Sequence, residues 1–186
     1  GAIDTRCVRA LKSADQTDHC RTDEAHWEIA SPDGFQAFVF EDQLESFWLK
    51  GTLRLHGKGK CGLVFRIDPE THDGYYLSLD LLKGVAQLRA WGTAADQTGE
   101  HMMQFATLQS GYWHTKGSTE AEISLLTFGS YLELSINGRI ILSLADQRYT
   151  RGLAGVYLET AALEVKNLNV RRLRNPEQID DHLVGG

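Results

Sequence analysis

The chain has 186 residues, 42% of them hydrophobic and 24% charged. That balance suits a single globular domain with a sizeable core. The net charge of −6 leaves no basic surplus for phosphates, which argues against a general nucleic-acid binder. No apolar stretch approaches the ~20 residues of a membrane span, and Gly1-Ala2-Ile3-Asp4 lacks the basic-then-apolar layout of a leader peptide.

In chain order, residues 1–26 are polar and mixed and are expected to form an N-terminal extension. Val8, Ala10 and Leu11 suit either one helical turn or a strand edge. A Cys7–Cys20 bridge would close a small loop with little core of its own, and the residues leave that bridge open. Cys61 reads as a buried free thiol, and three cysteines without CxxC spacing do not make a zinc site. From Trp27 onward, period-2 patterns recur. Strands are expected at Phe35–Phe40, Thr52–His56, Leu63–Ile67, Tyr75–Asp80 and Val85–Trp91. Further strands are expected at Glu120–Leu126, Tyr131–Ile136, Arg139–Leu144, Gly155–Glu159 and Leu163–Val170. Asn137-Gly138 is a strong hairpin signal, because both turn residues must take positive φ. One helical turn each fits residues 41–48 and 145–150. The run Arg171, Arg172, Arg174 reads as a solvated edge, and residues 175–186 as a tail or linker. The pattern predicts an all-β fold, an antiparallel β-sandwich over residues 27–174.

Residues capable of chemistry are scattered. Acidic candidates include Glu41, Asp42 and Glu45, the pair Glu120 and Glu122, and Glu159 with Glu164. Glycoside hydrolysis needs two carboxyl groups at defined separations, yet any sandwich carries acids at period 2 on its outer faces, and no acidic E-x-D-x-x-E signature is present. No histidine pair has helical zinc spacing, and there is no nucleophile elbow. Gly57-Lys58-Gly59-Lys60 reads as a tight turn. Arg66 interrupts an apolar strand and requires a partner. Asp80, at the end of the next expected strand, is the natural acid, either as a structural bridge or as a joint grip on sugar hydroxyls. Trp91 and Trp113 adjoin turns and are the better candidates for exposed stacking platforms among the four tryptophans.

Gly62-Leu63-Val64-Phe65-Arg66 followed by Gly74-Tyr75-Tyr76-Leu77-Ser78-Leu79-Asp80 resembles the corresponding run of concanavalin A-like jelly rolls. Within them it is most similar to carbohydrate-binding module family 66, the fructan-binding modules of glycoside hydrolases. Leu134–Arg139, Gly152–Val156 and Val165–Leu168 fit the same superfamily. The resemblance implies a secreted or extracellular, non-catalytic module, fused to a catalytic domain in its parent protein. It implies an oligosaccharide or polysaccharide partner such as levan, with no nucleic acid, no membrane and no cofactor. Arg66 and Asp80 would grip hydroxyls, Glu28 would add a third polar contact, and Tyr75 or Tyr76 with one tryptophan would stack. The insertion Asp68–His72 departs from the family pattern. Two alternatives share the sandwich. One is a 3-keto-disaccharide hydrolase-like enzyme using carboxylates and His72. The other is a laminin-G-like interaction domain in which Asp68, Asp73 and Asp80 lend oxygens to calcium.

Overall fold

The computed structural model of the chain describes residues 1–14, 17–92 and 104–174. Twelve strands, all antiparallel in their pairings, and no helix occur among the described residues. They are β1 (Val8–Ala10), β2 (His19–Asp23), β3 (His26–Phe40), β4 (Phe47–His56), β5 (Lys60–Ile67) and β6 (Gly74–Asp80). The second half holds β7 (Val85–Gly92), β8 (Gln104–Tyr112), β9 (Glu120–Phe128), β10 (Tyr131–Ile136), β11 (Arg139–Ala145) and β12 (Leu153–Arg172).

Two long strands, β3 and β12, organise the sandwich. They pair with each other along their length, with a register shift between Glu159 and Ala161. Thr160 there takes a left-handed φ of 50°, which bends the ladder. Before the bend β12 pairs with β5, and after it with β4. One layer therefore runs β2–β3–β12–β4–β9–β10–β11, and the other β1–β3–β12–β5–β6–β7–β8. Period-2 alternation then sends every second side chain into the space between the layers. Trp27, Phe40, Phe47, Phe65, Tyr75 and Leu77 are fully buried there. Each such side chain stabilises the fold by about 1.5–3 kcal/mol. The Gln109 side chain bridges the β8 and β11 edges: it accepts from Ser143 N at 2.8 Å and donates to Ser143 O at 3.3 Å.

Several expectations are corrected. Gly155–Glu159 and Leu163–Val170 are not two strands but parts of β12. The expected turns at 41–48 and 145–150 are not helical. Residues 1–26 are not a separate extension, since β1 and β2 hydrogen-bond to β3 and Trp27 Nε1 donates to Thr5 O at 2.8 Å. The strand β8 escapes a pattern reading because small residues, Ala106, Ser110 and Gly111, dilute its alternation. Asn137 and Gly138 do take positive φ, 51° and 82°. Cys61 is a buried free thiol, pushed up to about 12 by burial. Cys7 and Cys20 are free thiols as well, one exposed and one half-buried, so the bridge left open by the sequence is not formed. The tail at 175–186 lies outside the described residues.

Candidate functional site

The outer face of the β5–β6–β7–β8 layer carries a second apolar cluster, separate from the inter-sheet core. Register explains its composition. Tyr157 of β12 stands opposite Gly62, Gly62 opposite Ser78, and Ser78 opposite Gln87. One pleat further on, Val64 stands opposite Tyr76 and Tyr76 opposite Arg89. Beyond them Trp91 stands opposite Phe105 of β8. From these rows Tyr157, Ser78, Gln87, Tyr76, Arg89 and Phe105 line a groove of about 510 Å³, bordered by Phe35 at one side and by Lys60, Asp80 and Glu159 at one end. That size falls in the range of small-molecule sites, roughly 300–1,000 Å³.

The aromatic rings form a connected floor. Phe35 and Tyr157 lie 5.4 Å apart between centroids, Tyr76 and Phe105 5.5 Å and edge-on, and Trp91 and Phe105 4.5 Å. Such spacings suit tilted and edge-to-face pairs. Gly62 makes room for this floor, because a Cβ there would sit 2.5 Å from the Tyr157 ring and 2.0 Å from Leu77 O. Tyr76 Oη donates to His72 O at 2.7 Å, which fixes its ring. Burial raises both phenols, Tyr157 to about 12, so neither is a base at neutral pH. Phe105 is 48% exposed and offers its ring to solvent.

The polar rim is mixed. Lys60 Nζ lies 3.5 Å from Glu159. Asp80 accepts the amides of Leu82 at 3.1 Å and Lys83 at 2.9 Å, so its carboxylate shapes the turn after β6. Arg89 Nη2 donates to Gln87 Oε1 at 2.6 Å, and its guanidinium carbon lies 5.7 Å from the Phe105 centroid. Rings with apolar faces, hydroxyl-sized donors and acceptors, and a forked cation are what a sugar ring can use.

The residues expected from sequence are spread over the molecule. Tyr76 and Asp80 line the groove, and Trp91 packs at its end on Phe105. Arg66 does not reach it. It is 2% exposed with φ 52°, and its guanidinium donates to Glu45 O at 3.1 and 3.0 Å, to Gly129 O at 2.7 Å and to Tyr149 O at 3.2 Å. With Phe65 opposite Tyr75 and Cys61 opposite Leu79, Arg66 and Asp80 occupy opposite ends of the β5–β6 hairpin, roughly 20 Å apart at ~3.3 Å per residue. They form neither a bridge nor a joint grip. Burial lowers the basicity of Arg66, with Tyr75 and Glu45 acting the other way. Three backbone carbonyls accept from the guanidinium, and the Glu45 carboxylate adds a favourable charge.

Tyr75 is wholly buried between the layers, where its hydroxyl donates to Asp146 at 2.5 Å and accepts from Tyr149 N at 3.3 Å. Trp113 packs half-buried on the inter-sheet core, whereas Trp48, on the opposite outer face, is 39% exposed beneath Lys50. Glu28 also lies on that opposite layer, across from Glu164. With His26 these two bring potential ligand atoms within 4.8 Å of one another, but Arg21 reaches Glu28 and Lys166 reaches Glu164, each at 3.9 Å. The aspartates weighed for calcium do not converge. Asp68 accepts Glu70 N and Thr71 N in the β5–β6 turn, beside Asp73, while Asp80 is at the far end of β6. Glu159 and Glu164 fall on either side of the Thr160 bend, in different layers.

Sequence reasoning missed Phe35, Arg89, Phe105 and Tyr157. Val85-Ala86-Gln87-Leu88-Arg89-Ala90-Trp91 did alternate, which placed Gln87, Arg89 and Trp91 on one face. Nothing in the pattern showed that this face would be joined by aromatics from β3, β8 and β12.

No protein-family model matches the chain, and no curated protein matches it. Its fold is shared with solved structures. It is similar to a carbohydrate-binding module, CBM66, from Bacillus subtilis at TM-score 0.71 and 11% identity, over 91% of this chain and 98% of that one. A Bacillus subtilis protein of unknown function with a galectin-like fold matches at TM-score 0.60 and 13% identity, over 94% and 100% of the two chains. A putative glycosyl hydrolase from Parabacteroides distasonis matches at TM-score 0.58 and 11% identity, over 83% of each. The chain is an antiparallel β-sandwich whose fold is shared with the CBM66 module.

Proposed function

We propose that this chain is a non-catalytic carbohydrate-binding module, and that the groove over β5–β8 holds the sugar. The observation that carries the reading is the connected aromatic floor ending at exposed Phe105, with Gln87, Arg89 and Ser78 on the same face. A sugar ring laid on Phe105 would bury its C–H face and leave its hydroxyls to the polar side chains. The similarity in fold to CBM66 supports a module of this kind. Such a module would act outside the cell and hold a glycoside hydrolase to its polysaccharide. The two acids of the rim are engaged, Asp80 with turn amides and Glu159 with Lys60, which favours binding over hydrolysis. Levan, to which the resemblance points, belongs in the test.

The experiment is calorimetric titration of the domain against levan, inulin, β-glucans, galactans and uronic-acid polymers, with reducing sugar assayed in parallel. Binding without sugar release, weakened about tenfold in Phe105→Ala, supports the reading; a stacked ring contributes about 0.5–1.5 kcal/mol beyond its area. Release of sugar would point to the hydrolase, and absence of any binding would overturn the reading.

A further inference from the structure

Arg89 has chemistry that the floor does not use. It is half-buried and its Nε is buried without a hydrogen-bond partner. Among the described residues, its side-chain hydrogen bond goes to a neutral amide, Gln87. No carboxylate pairs with it among the described residues, whereas Lys60, the other cation lining the groove, is engaged by Glu159. An unpaired cation at a partly desolvated position is costly unless something compensates it. Here the Phe105 ring compensates in part. The protein as a whole is acidic, at −6, and this cation sits beside the exposed stacking ring.

We infer that Arg89 is the subsite for an anionic group on the sugar, a carboxylate or a sulfate ester, while Phe105 stacks on the ring that bears it. The choice of arginine fits. Its planar fork matches the paired oxygens of a carboxylate or sulfate, where a lysine would offer a point charge. Gln87 holds one arm of the fork at Nη2 and Nε is buried, so the fork offers a ligand its Nη1 edge and the second Nη2 N–H. The inference rests on the carbohydrate-binding reading and narrows it to acidic polysaccharides.

The test is titration of the whole chain with oligogalacturonate, with the same oligomer after chemical reduction of its carboxyl groups, and with a sulfated galactan oligomer, in low and high salt. The expected result is binding of at least one acidic ligand about tenfold tighter than the neutral one, as a charge-assisted contact implies. Salt should weaken the acidic ligand alone. Arg89→Gln should erase the preference, so that acidic and neutral oligomers bind alike in a protein that still melts cooperatively. Arg89→Lys should restore part of the salt dependence but not the full affinity. Which acidic ligand binds tells carboxylate from sulfate. Equal binding of acidic and neutral oligomers would overturn the inference and leave the sugar-binding reading standing. An acidic preference that survives Arg89→Gln would remove Arg89 from the site. No binding to any saccharide tested here or in the wider panel would overturn both.

Discussion

Replacing Arg66 by alanine separates a structural arginine from a sugar-gripping one. The guanidinium satisfies three backbone carbonyls, those of Glu45, Gly129 and Tyr149, and so ties together the segments before β4, between β9 and β10, and before β12. Arg66 is 2% exposed, so water cannot simply take its place. Each orphaned buried acceptor costs about 1–3 kcal/mol, and the losses overlap because the loops relax together, which gives roughly 3–5 kcal/mol in total. For a domain of this size 1 kcal/mol moves the melting temperature by about 2–4 °C, so a drop of roughly 6–20 °C is expected. Scanning calorimetry gives the melting point, and urea titration gives the free energy. In the folded fraction saccharide binding should be unchanged, because the guanidinium points away from the groove. A variant that melts like the wild type and has lost its ligand would refute this reasoning and return Arg66 to the binding site.

Gly62→Ala forces a methyl group against the Tyr157 ring and Leu77 O; an overpacking cost of about 1–3 kcal/mol and weakened saccharide binding are expected by thermal melt and titration. Gln109→Ala removes two hydrogen bonds between the β8 and β11 edges, and should cost about 1 kcal/mol while speeding amide exchange at Ser143. In alkali the buried phenols Tyr75, Tyr76 and Tyr157 and the half-buried Tyr149 are all raised by burial, Tyr149 and Tyr157 to about 12. Above their ordinary value of 10 the unfolded chain binds fewer protons than the folded one, so stability falls as pH rises from that point. Phenolate absorbance from these four should appear together with unfolding, and its appearance in the folded protein would contradict the assignment. In acid the sign reverses for Asp68, whose carboxylate is held below its ordinary 3.8 by the amides of Thr71 and Glu70. Its contribution is complete above that value and is lost as pH falls below it, so Asp68→Asn should flatten the stability curve there.

Much of the architecture was legible in alternation and turn chemistry. Tyr131–Ile136, Asn137-Gly138 and Arg139–Leu144 read as a hairpin from residues alone, because the polar–apolar period and the positive-φ turn agree. The bend at Thr160 was not legible, since a strand that changes layers looks in sequence like two strands with a break. The site was harder for the same reason. Tyr75 and Tyr76 are adjacent in sequence, and the pleat sends one into the core and the other to the groove. Which face becomes which depends on the partner layer. Arg66 was rightly singled out as a charge in an apolar strand needing compensation, but its partners are carbonyls 21, 63 and 83 residues away, which no local pattern reveals.

The central claim is that saccharide binds over β5–β8. It is tested most directly by mapping backbone amide shifts of the isotope-labelled domain during titration with the polysaccharide fragment that binds best. Shifts concentrated at Tyr76, Gln87, Arg89, Phe105 and Tyr157 are predicted. Shifts concentrated instead around Trp48, Lys50 and Ser124 on the opposite layer would contradict it.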